Sequence, residues 1–370
     1  MTRTPGTQTR RRQGGGRAAT ALALALVLLA SLCGSAAAAP GGANLPQRPT
    51  YWGAWIGDQL TGEEAPWDMN AVGAFSGLVG KGLSLVEFSS PMADCHERPC
   101  KFYDFPAPQM EQIRGYGAIP FFSWSTSSSP FNPNLSDPDF QLGDITAGAY
   151  DRQIFEFASA AARWGHPFFL RFNWEMNGNW MPWSEGINGN VSGQYVAAWR
   201  HVHDLFVAAG ATNTTWVWCP YVDIEHRFQN LRRLYPGDAY VDWIGLDGFN
   251  WAQNPANPQK WRSFDQIFKS TYHYTITKLA PKKPIVLAEM ASNGAAKAKA
   301  SWIRRMFEVL RTDYRRIRAL IWFNKIDRGV EWPLETSGAS VRAFAKGIRA
   351  RGFRPNRFWE LPPGPVQPPR

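Results

Sequence analysis

Eight short, continuously apolar runs recur along this chain, each followed by a segment of helical periodicity, and that rhythm restricts the fold more than any other feature. The apolar runs fall at 51–56, 83–88, 118–124, 168–173, 215–219, 243–246, 285–288 and 320–323. Helical segments lie between them near 70–79, 108–116, 150–164, 193–209, 264–280, 298–314 and 339–349, with a weaker one near 229–234. Strands that are apolar on both faces need cover on both faces, and helices provide it when the strands run parallel. Eight such units in about 310 residues fit a closed barrel better than an open sheet. The expected fold class is therefore α/β, a (β/α)8 TIM barrel, as a single domain over residues 40–350. No Gly-rich phosphate cradle follows the first run, so a dinucleotide-binding sheet lacks its signature.

The two ends of the chain read differently. A basic stretch to Arg17, an apolar run over 18–32 and the small residues Ala36 to Ala39 make residues 1–39 an expected secretory signal peptide. That run is shorter than the roughly twenty residues that span a bilayer, and no later run exceeds it, so a secreted chain without a membrane span is expected. Cys33, after Leu29-Ala30-Ser31-Leu32, resembles a lipoprotein signal with a bulky Leu32 where a small residue is usual. Residues 351–370, with Pro355, Pro362, Pro363, Pro365, Pro368 and Pro369, read as a Pro-rich tail, an extended wrap or linker.

The formal charge is +10, but Arg3, Arg10, Arg11, Arg12 and Arg17 belong to the leader. What remains falls short of a nucleic-acid footprint, so no nucleic-acid partner is expected. Cys95 and Cys100 frame a short loop, and in a secreted chain a disulfide is the expected pairing. The competing reading, a metal pair with His96, has no second Cys or His cluster to complete it. Cys219 follows Trp216-Val217-Trp218 and reads as an inert core thiol. No cofactor or metal is called for, and a monomer is expected.

In a parallel barrel the chemistry gathers where strands end, at their C-terminal face. After the fourth run stands Arg171-Phe172-Asn173-Trp174-Glu175-Met176-Asn177-Gly178-Asn179-Trp180-Met181-Pro182-Trp183, which brings a carboxylate, amides and three indoles together. Glu289 closes the seventh run, where a core strand has little use for charge; its bland reading is an ion pair with a neighbour such as Arg171. For Glu175 the bland reading is a carboxylate stabilised at a helix N-terminus. Eighteen Trp residues exceed what a core easily absorbs, because each indole N–H needs a partner. Trp55, Trp124, Trp180, Trp183, Trp251 and Trp322 fall at or just beyond strand ends, where flat rings could pack on the C–H faces of sugars; a barrel-core role competes for Trp322. Asp223 and Asp247 either orient hydroxyl groups or cap loops.

Two carboxylates on opposite strand ends are the apparatus of retaining glycoside hydrolysis. The segment from Arg171 to Trp183, with Asp242-Trp243-Ile244-Gly245-Leu246-Asp247-Gly248-Phe249-Asn250-Trp251 and Lys283-Pro284-Ile285-Val286-Leu287-Ala288-Glu289, resembles glycoside hydrolase family 26, which holds chiefly β-mannanases with some β-1,3-1,4-glucanases and β-1,3-xylanases. The resemblance implies Glu175 as acid/base and Glu289 as nucleophile; their place at or beyond strand ends makes Asn173, Trp174, Asn177, Trp180, Trp183, Asp223, Asp247, Trp251, Trp322, Trp55 and Trp124 the candidates for binding substrate. Two positions depart from the family pattern. Trp174 stands where a His usually precedes the acid, and Phe249 matches a Tyr that often donates to the nucleophile, leaving Tyr221, Asn173 or Asn250 as possible donors. The expected function is a secreted, endo-acting, retaining β-glycanase cutting a polysaccharide, with β-mannan first and β-1,3-1,4-glucan or β-1,3-xylan next. A catalytically silent carbohydrate-binding barrel and a cell-envelope glycan hydrolase or transglycosylase are the alternatives. No Gly-x-Ser-x-Gly elbow and no His-Glu-x-x-His occur, so esterase and zinc-protease chemistry lack their residues.

Overall fold

Each apolar run is a strand of one closed ring. The computed structural model describes residues 46–129, 134–223, 228–252, 260–294 and 296–370; the expected leader, with Cys33, lies outside them. The strands are β1 (Thr50–Ile56), β2 (Leu85–Asp94), β3 (Ile119–Ser129), β4 (Phe168–Phe172), β5 (Thr214–Trp218), β6 (Trp243–Asn250), β7 (Ile285–Ser292) and β8 (Ile317–Asn324). All neighbours pair in parallel, and β1 closes the ring by bonding both β2, in the register Gly53↔Leu85, and β8, in the register Tyr51↔Ala319. The covering helices are α1 (Met69–Val79), α2 (Ala107–Tyr116), α3 (Asp151–Trp164), α4 (Gln194–Ala208), α5 (Phe228–Leu234), α6 (Phe264–Tyr274), α7 (Ala296–Thr312) and α8 (Gly338–Ile348), and a five-residue helix, Leu142–Thr146, precedes α3. Among the described residues no helix is long and apolar enough to cross a membrane.

Several strands outlast their apolar runs. β3 continues through Ser125 to Ser129, and β7 continues past Ala288 to Ser292, because the backbone ladder persists after the side chains turn polar. Helix ends follow local chemistry. Asp68 caps α1 by accepting from the Asn70 N–H at 2.9 Å, and Ser263 with Gln266 forms a capping box at the start of α6. The segment expected as one helix over 264–280 is α6 followed by a π turn over Thr275–Leu279.

Strand parity divides the core in two. Tyr51, Leu85, Ile119, Phe121, Phe169, Val217, Trp243, Val286, Ala319 and Ile321 fill the barrel interior. Their sequence neighbours, such as Trp52, Val86, Phe122, Leu170, Ile244, Leu287 and Leu320, face the helical layer. Residues 351–370 pack beneath this interior. Phe353–Arg354 adds parallel to the start of β1, and Phe358 and Val366 join the inward-facing cluster. The Trp243 indole N–H donates to the Val366 carbonyl at 2.8 Å, and the Val366 N–H donates to Thr215 Oγ1 at 2.7 Å. The Pro-rich segment is thus the floor of the barrel.

Candidate active site

Toward the C-terminal ends of the strands the inward positions turn from apolar to ionic. Leu85 gives way to Glu87, Phe121 to Ser123, Phe169 to Arg171 and Gly245 to Asp247, each two residues further along its strand. Glu289 reaches the same level by a different route. Leu246 pairs with Leu287 but Asp247 pairs with Glu289, so Ala288 is an extra residue in the ladder. That bulge turns Glu289 into the barrel directly after Ala288, a use of bulges common beside active sites.

Arg171 organises the layer. Its guanidinium is fully buried; Nε donates to Ser123 Oγ at 2.7 Å, Nη1 to Asp247 Oδ2 at 2.8 Å, and Nη2 reaches both Glu87 Oε1 at 2.8 Å and Glu289 Oε1. Its face lies 4.8 Å from the Trp174 ring centroid. Burial opposes the arginine's charge, but Glu87, Glu289 and Asp247 outweigh it and keep the guanidinium firmly protonated. The carboxyls that share it are not equivalent. Burial pushes Glu87 up to about 8 against the pull of Arg171, and burial likewise raises Asp247 well above the carboxylate range.

Glu175 is held by its backbone. After β4 the chain passes through left-handed φ at Asn173 (43°) and Glu175 (53°), a strained choice for Glu. The strain is held in place by bonds on every side. Asn173 N–H donates to the Trp124 carbonyl at 3.0 Å, its side-chain amide brackets Thr126 with two bonds of 2.8 Å, and the Glu175 N–H donates to the Cys219 carbonyl at 2.7 Å. The Glu175 carboxylate accepts from the Trp180 indole at 2.5 Å. Gly178 permits this fold-back, since a Cβ there would sit 2.5 Å from the Trp180 ring.

Glu175 and Glu289 line one cavity of about 290 Å³, walled by Trp174, Trp180, Met181, Tyr221, Phe249, Trp251, Phe323 and Trp332, with Asp327 and Arg328 at its edge. Burial pushes Glu175 up to about 7, and the negative charge of Glu289 adds to the shift against the Trp180 hydrogen bond. A carboxyl that keeps its proton near neutrality thus shares a cavity with a second carboxyl anchored by arginine. The arrangement suits proton donation from one and attack by the other.

Of the binding residues expected from sequence, Trp174, Trp180 and Trp251 line this cavity. The others lie elsewhere. Trp124 stacks on Phe157 at 4.4 Å in the helical layer, and Trp322 packs against Trp302 and Phe344 there. Trp183 is buried with its N–H on the Trp174 carbonyl at 2.6 Å. Asn173 serves Thr126, and Asn177 exchanges two 2.9 Å bonds with the Tyr221 backbone. Asp247 is fully buried on Arg171 and Cys219, Trp55 packs on Phe323 behind the wall, and the Asp223 N–H bonds Thr271 Oγ1 at 2.8 Å. These are supports of the site rather than its lining.

The donor to Glu289 is Arg171; Asn250 serves Ser292 and the Arg262 N–H, and Tyr221 OH accepts from Trp251 at 3.3 Å. Asp327, Arg328 and Trp332 escaped the sequence reading. They sit on and after a small hairpin, Ile326–Asp327 with Val330–Glu331, inserted behind β8. Lys299 of α7, itself buried, pins the hairpin's exit by donating to the carbonyls of Glu331, Trp332 and Pro333 at 3.2, 3.0 and 2.6 Å. The sequence signal was polar and aromatic residues crowded behind a strand end. Cys95 and Cys100 are joined as a disulfide, so their sulfurs are not available to a metal beside Asp139.

Comparison with known proteins agrees with this geometry. A family model, glycosyl hydrolase family 26, matches residues 152–314. Endoglucanase H of Acetivibrio thermocellus is 30% identical over 306 residues, 82% of this chain and 31% of that protein. The β-1,3-xylanase TXYA of a Vibrio species is 27% identical over 122 residues, 30% of this chain and 24% of that protein. The chain therefore spans about a third or less of the length of these curated relatives. Among solved structures, the catalytic domain of the Bacillus sp. JAMB-750 GH26 endo-β-1,4-mannanase aligns with TM-score 0.61 at 17% identity, covering 86% of this chain and 92% of that one. The GH26 β-mannanase BoMan26A of Bacteroides ovatus aligns with TM-score 0.55 at 17% identity, covering 85% and 91%. Fold and matches are similar to one class, the glycoside hydrolases built on a (β/α)8 barrel. Within that class, residues 152–314 match glycosyl hydrolase family 26.

Proposed function

We propose that the protein is a secreted, endo-acting β-glycanase that hydrolyses its polysaccharide with retention of configuration. One observation carries the reading: Glu175, raised to about 7 by burial and by Glu289, opens into the same cavity as Glu289. Glu289, oriented by Arg171, attacks the anomeric carbon while Glu175 gives its proton to the departing glycosidic oxygen. Glu175, now ionised, then takes a proton from the water that attacks the glycosyl-enzyme ester, and Glu289 leaves as a carboxylate. Trp180, Trp251 and Trp332 offer ring faces to the sugars on either side of the cleaved bond.

The substrate we favour is a β-glucan. An endoglucanase matches 82% of this chain at 30% identity, while the mannanases match at 17% in fold. Trp174 and Phe249 also depart from the family's usual His and Tyr, so the family's prevailing mannan specificity does not carry over directly. β-Mannan, first by sequence, becomes the second candidate, and β-1,3-xylan is supported by the xylanase relatives. Secretion rests on the leader-like residues 1–39 and on the Cys95–Cys100 disulfide, which suits an oxidising compartment. Incubation with mixed-linkage β-glucan, β-mannan and β-1,3-xylan, with products sized and their anomers followed by NMR, tests the proposal. Oligomers of several lengths from the glucan, initially of retained configuration, are expected; binding without release of reducing ends would make this a silent barrel.

A further inference from the structure

The charge of the chain is segregated. Residues 46–296 carry eighteen Lys and Arg against twenty-four Asp and Glu, whereas residues 297–357 carry sixteen against five. The second stretch is α7, β8 and α8 with the segment after them. On α7 the i, i+7 spacing sets Arg304 and Arg311 on one face with Glu308 between them, and Arg342 and Lys346 of α8 share a face with Arg349 at its C-cap. Like charges at i, i+3 and i, i+4, as in this second set, weaken a helix, and none of the five cations has an ion pair within 4.0 Å among the described residues. They are exposed except for Arg311, which is half-buried. Arg311 and Lys346 stand in the last turns of their helices, where the dipole favours cations, and the whole set faces outward together.

Between the two helices lies a groove of about 240 Å³ whose floor is Phe307, Ala343, Gly347 and Phe353 and whose rim carries three cations, Arg304, Arg311 and Lys346, and one acid, Glu308, which pairs with Arg305 at 3.8 Å. Gly347 lets the Phe307 ring pack directly on α8, because a Cβ there would lie 2.1 Å from it. Phe353 belongs to the strand that pairs with the start of β1, so the groove is at the base of the barrel, away from the mouth that holds Glu175 and Glu289.

We infer that this groove is a second glycan site, taking an acidic polysaccharide whose uronate carboxylates meet Arg304, Arg311 and Lys346 while the ring's C–H face rests on the apolar floor. Arginine pairs with carboxylates through two parallel hydrogen bonds, which suits a repeating uronate better than an isolated ion. A lipid surface fits less well. The exposed large apolar residues Trp67, Tyr103, Phe155, Val191, Val207, Trp261, Ile326 and Trp359 all lie off α7 and α8, so the face has no anchor to insert. A nucleic acid would meet these cations through its phosphates and leave the apolar floor unused, and polyphosphate stands for it in the test. Occupation of the base would leave the catalytic mouth free, so a neutral glucan could be cut while the enzyme is held on an acidic one.

The test is retention of the full chain on immobilised polygalacturonate, with polyphosphate, anionic phosphatidylglycerol vesicles and neutral β-glucan as competitors. The variant Arg304→Glu/Arg311→Glu/Lys346→Glu should bind about tenfold more weakly and with a shallower salt dependence, while its hydrolysis of soluble neutral glucan is unchanged. The control Lys269→Glu/Lys278→Glu/Lys282→Glu makes the same charge change on α6 and the residues after it and should retain binding. Equal weakening by both variants would reduce the effect to net charge and overturn the site. Tighter binding of polyphosphate or vesicles than of polygalacturonate would overturn the assignment to uronates. If the triple variant loses hydrolysis, the single change Lys346→Ala is read instead, and unchanged retention there counts against the site. Failure of the glucan assay with polygalacturonate retention intact would strike the catalytic reading and spare this one.

Discussion

The mouth and the base of this barrel are built from the same eight strands and could hardly differ more. At the base, Tyr51, Ile119, Trp243 and Ala319 meet Phe358 and Val366, and the polar atoms present find neutral partners such as the Trp243 indole on the Val366 carbonyl. At the mouth, four residues beyond Ile119 and Trp243, three carboxyls pair with one arginine, and two non-glycine residues beside them hold left-handed backbone. Closing the base apolar lets the ring tolerate an ionic, strained mouth. The contrast assigns stability to one end and chemistry to the other.

The sharpest way to break that division is at Glu289. Glu289→Ala should abolish turnover of every glycoside, by roughly 10⁴-fold or more, since the covalent step has no substitute; residual activity of wild-type order would dismiss it as nucleophile. Glu175→Ala is expected to cost about 10²–10⁴-fold on natural linkages and far less on aryl glycosides whose leaving groups need no proton. The same variant bears on pH. Glu175 is active as the acid, so wild-type activity should fall as pH rises through about 7, and that alkaline limb should vanish in Glu175→Ala. Equal losses on both substrate types, or an unchanged limb, would remove Glu175 from the role.

At the base the expectation reverses. Phe358→Ala should lower the unfolding free energy by about 3–5 kcal/mol, measured by denaturant titration, and leave kcat/KM on β-glucan within error at 25 °C. A fall in kcat/KM without a fall in stability would dissolve the distinction between the two ends. The smallest effect is expected from Glu87→Gln, which tests the mouth's own contribution to stability. Glu87 binds its proton more tightly folded, at about 8, than unfolded at 4.5, so its favourable share is whole below 4.5 and is lost as pH rises through 8. The glutamine variant should therefore lose less stability between those pH values, gaining about 2–4 °C in Tm at pH 8 for each kcal/mol relieved. A wild-type and variant Tm that fall in parallel would show that Glu87 is ionised throughout.

How far this was readable from sequence depended on which periodicity governed the residue. The eight strands were visible because both faces are apolar, and Glu175 and Glu289 because a carboxylate at such a strand end is conspicuous. Trp124 and Trp322 show the limit. Both are strand residues one step out of phase with inward neighbours, Phe121 and Ser123 in β3 and Ile321 in β8, so parity sends them to the helices. Reading strand ends without strand faces turned two core indoles into groove candidates. Glu289 would have been placed wrongly by parity alone, because the bulge at Ala288 resets it. Trp332 and Arg328 were out of reach for another reason: their hairpin depends on Lys299, some thirty residues earlier, and no local pattern joins the two.

The floor formed by Phe358 and Val366 also sets a timetable. β1, near the start of the barrel, cannot complete its pairing until β8 and the Phe353 segment exist, and the interior is sealed only by residues made after all eight strands. Contacts of such long sequence separation form late and slowly. While the chain is still being made, β1 and the inward faces of the ring must wait with one edge unpaired and the interior open to water. An incomplete chain can therefore carry Glu175, Arg171 and Glu289 without enclosing them, and the mouth becomes an active site only after the opposite end has been shut.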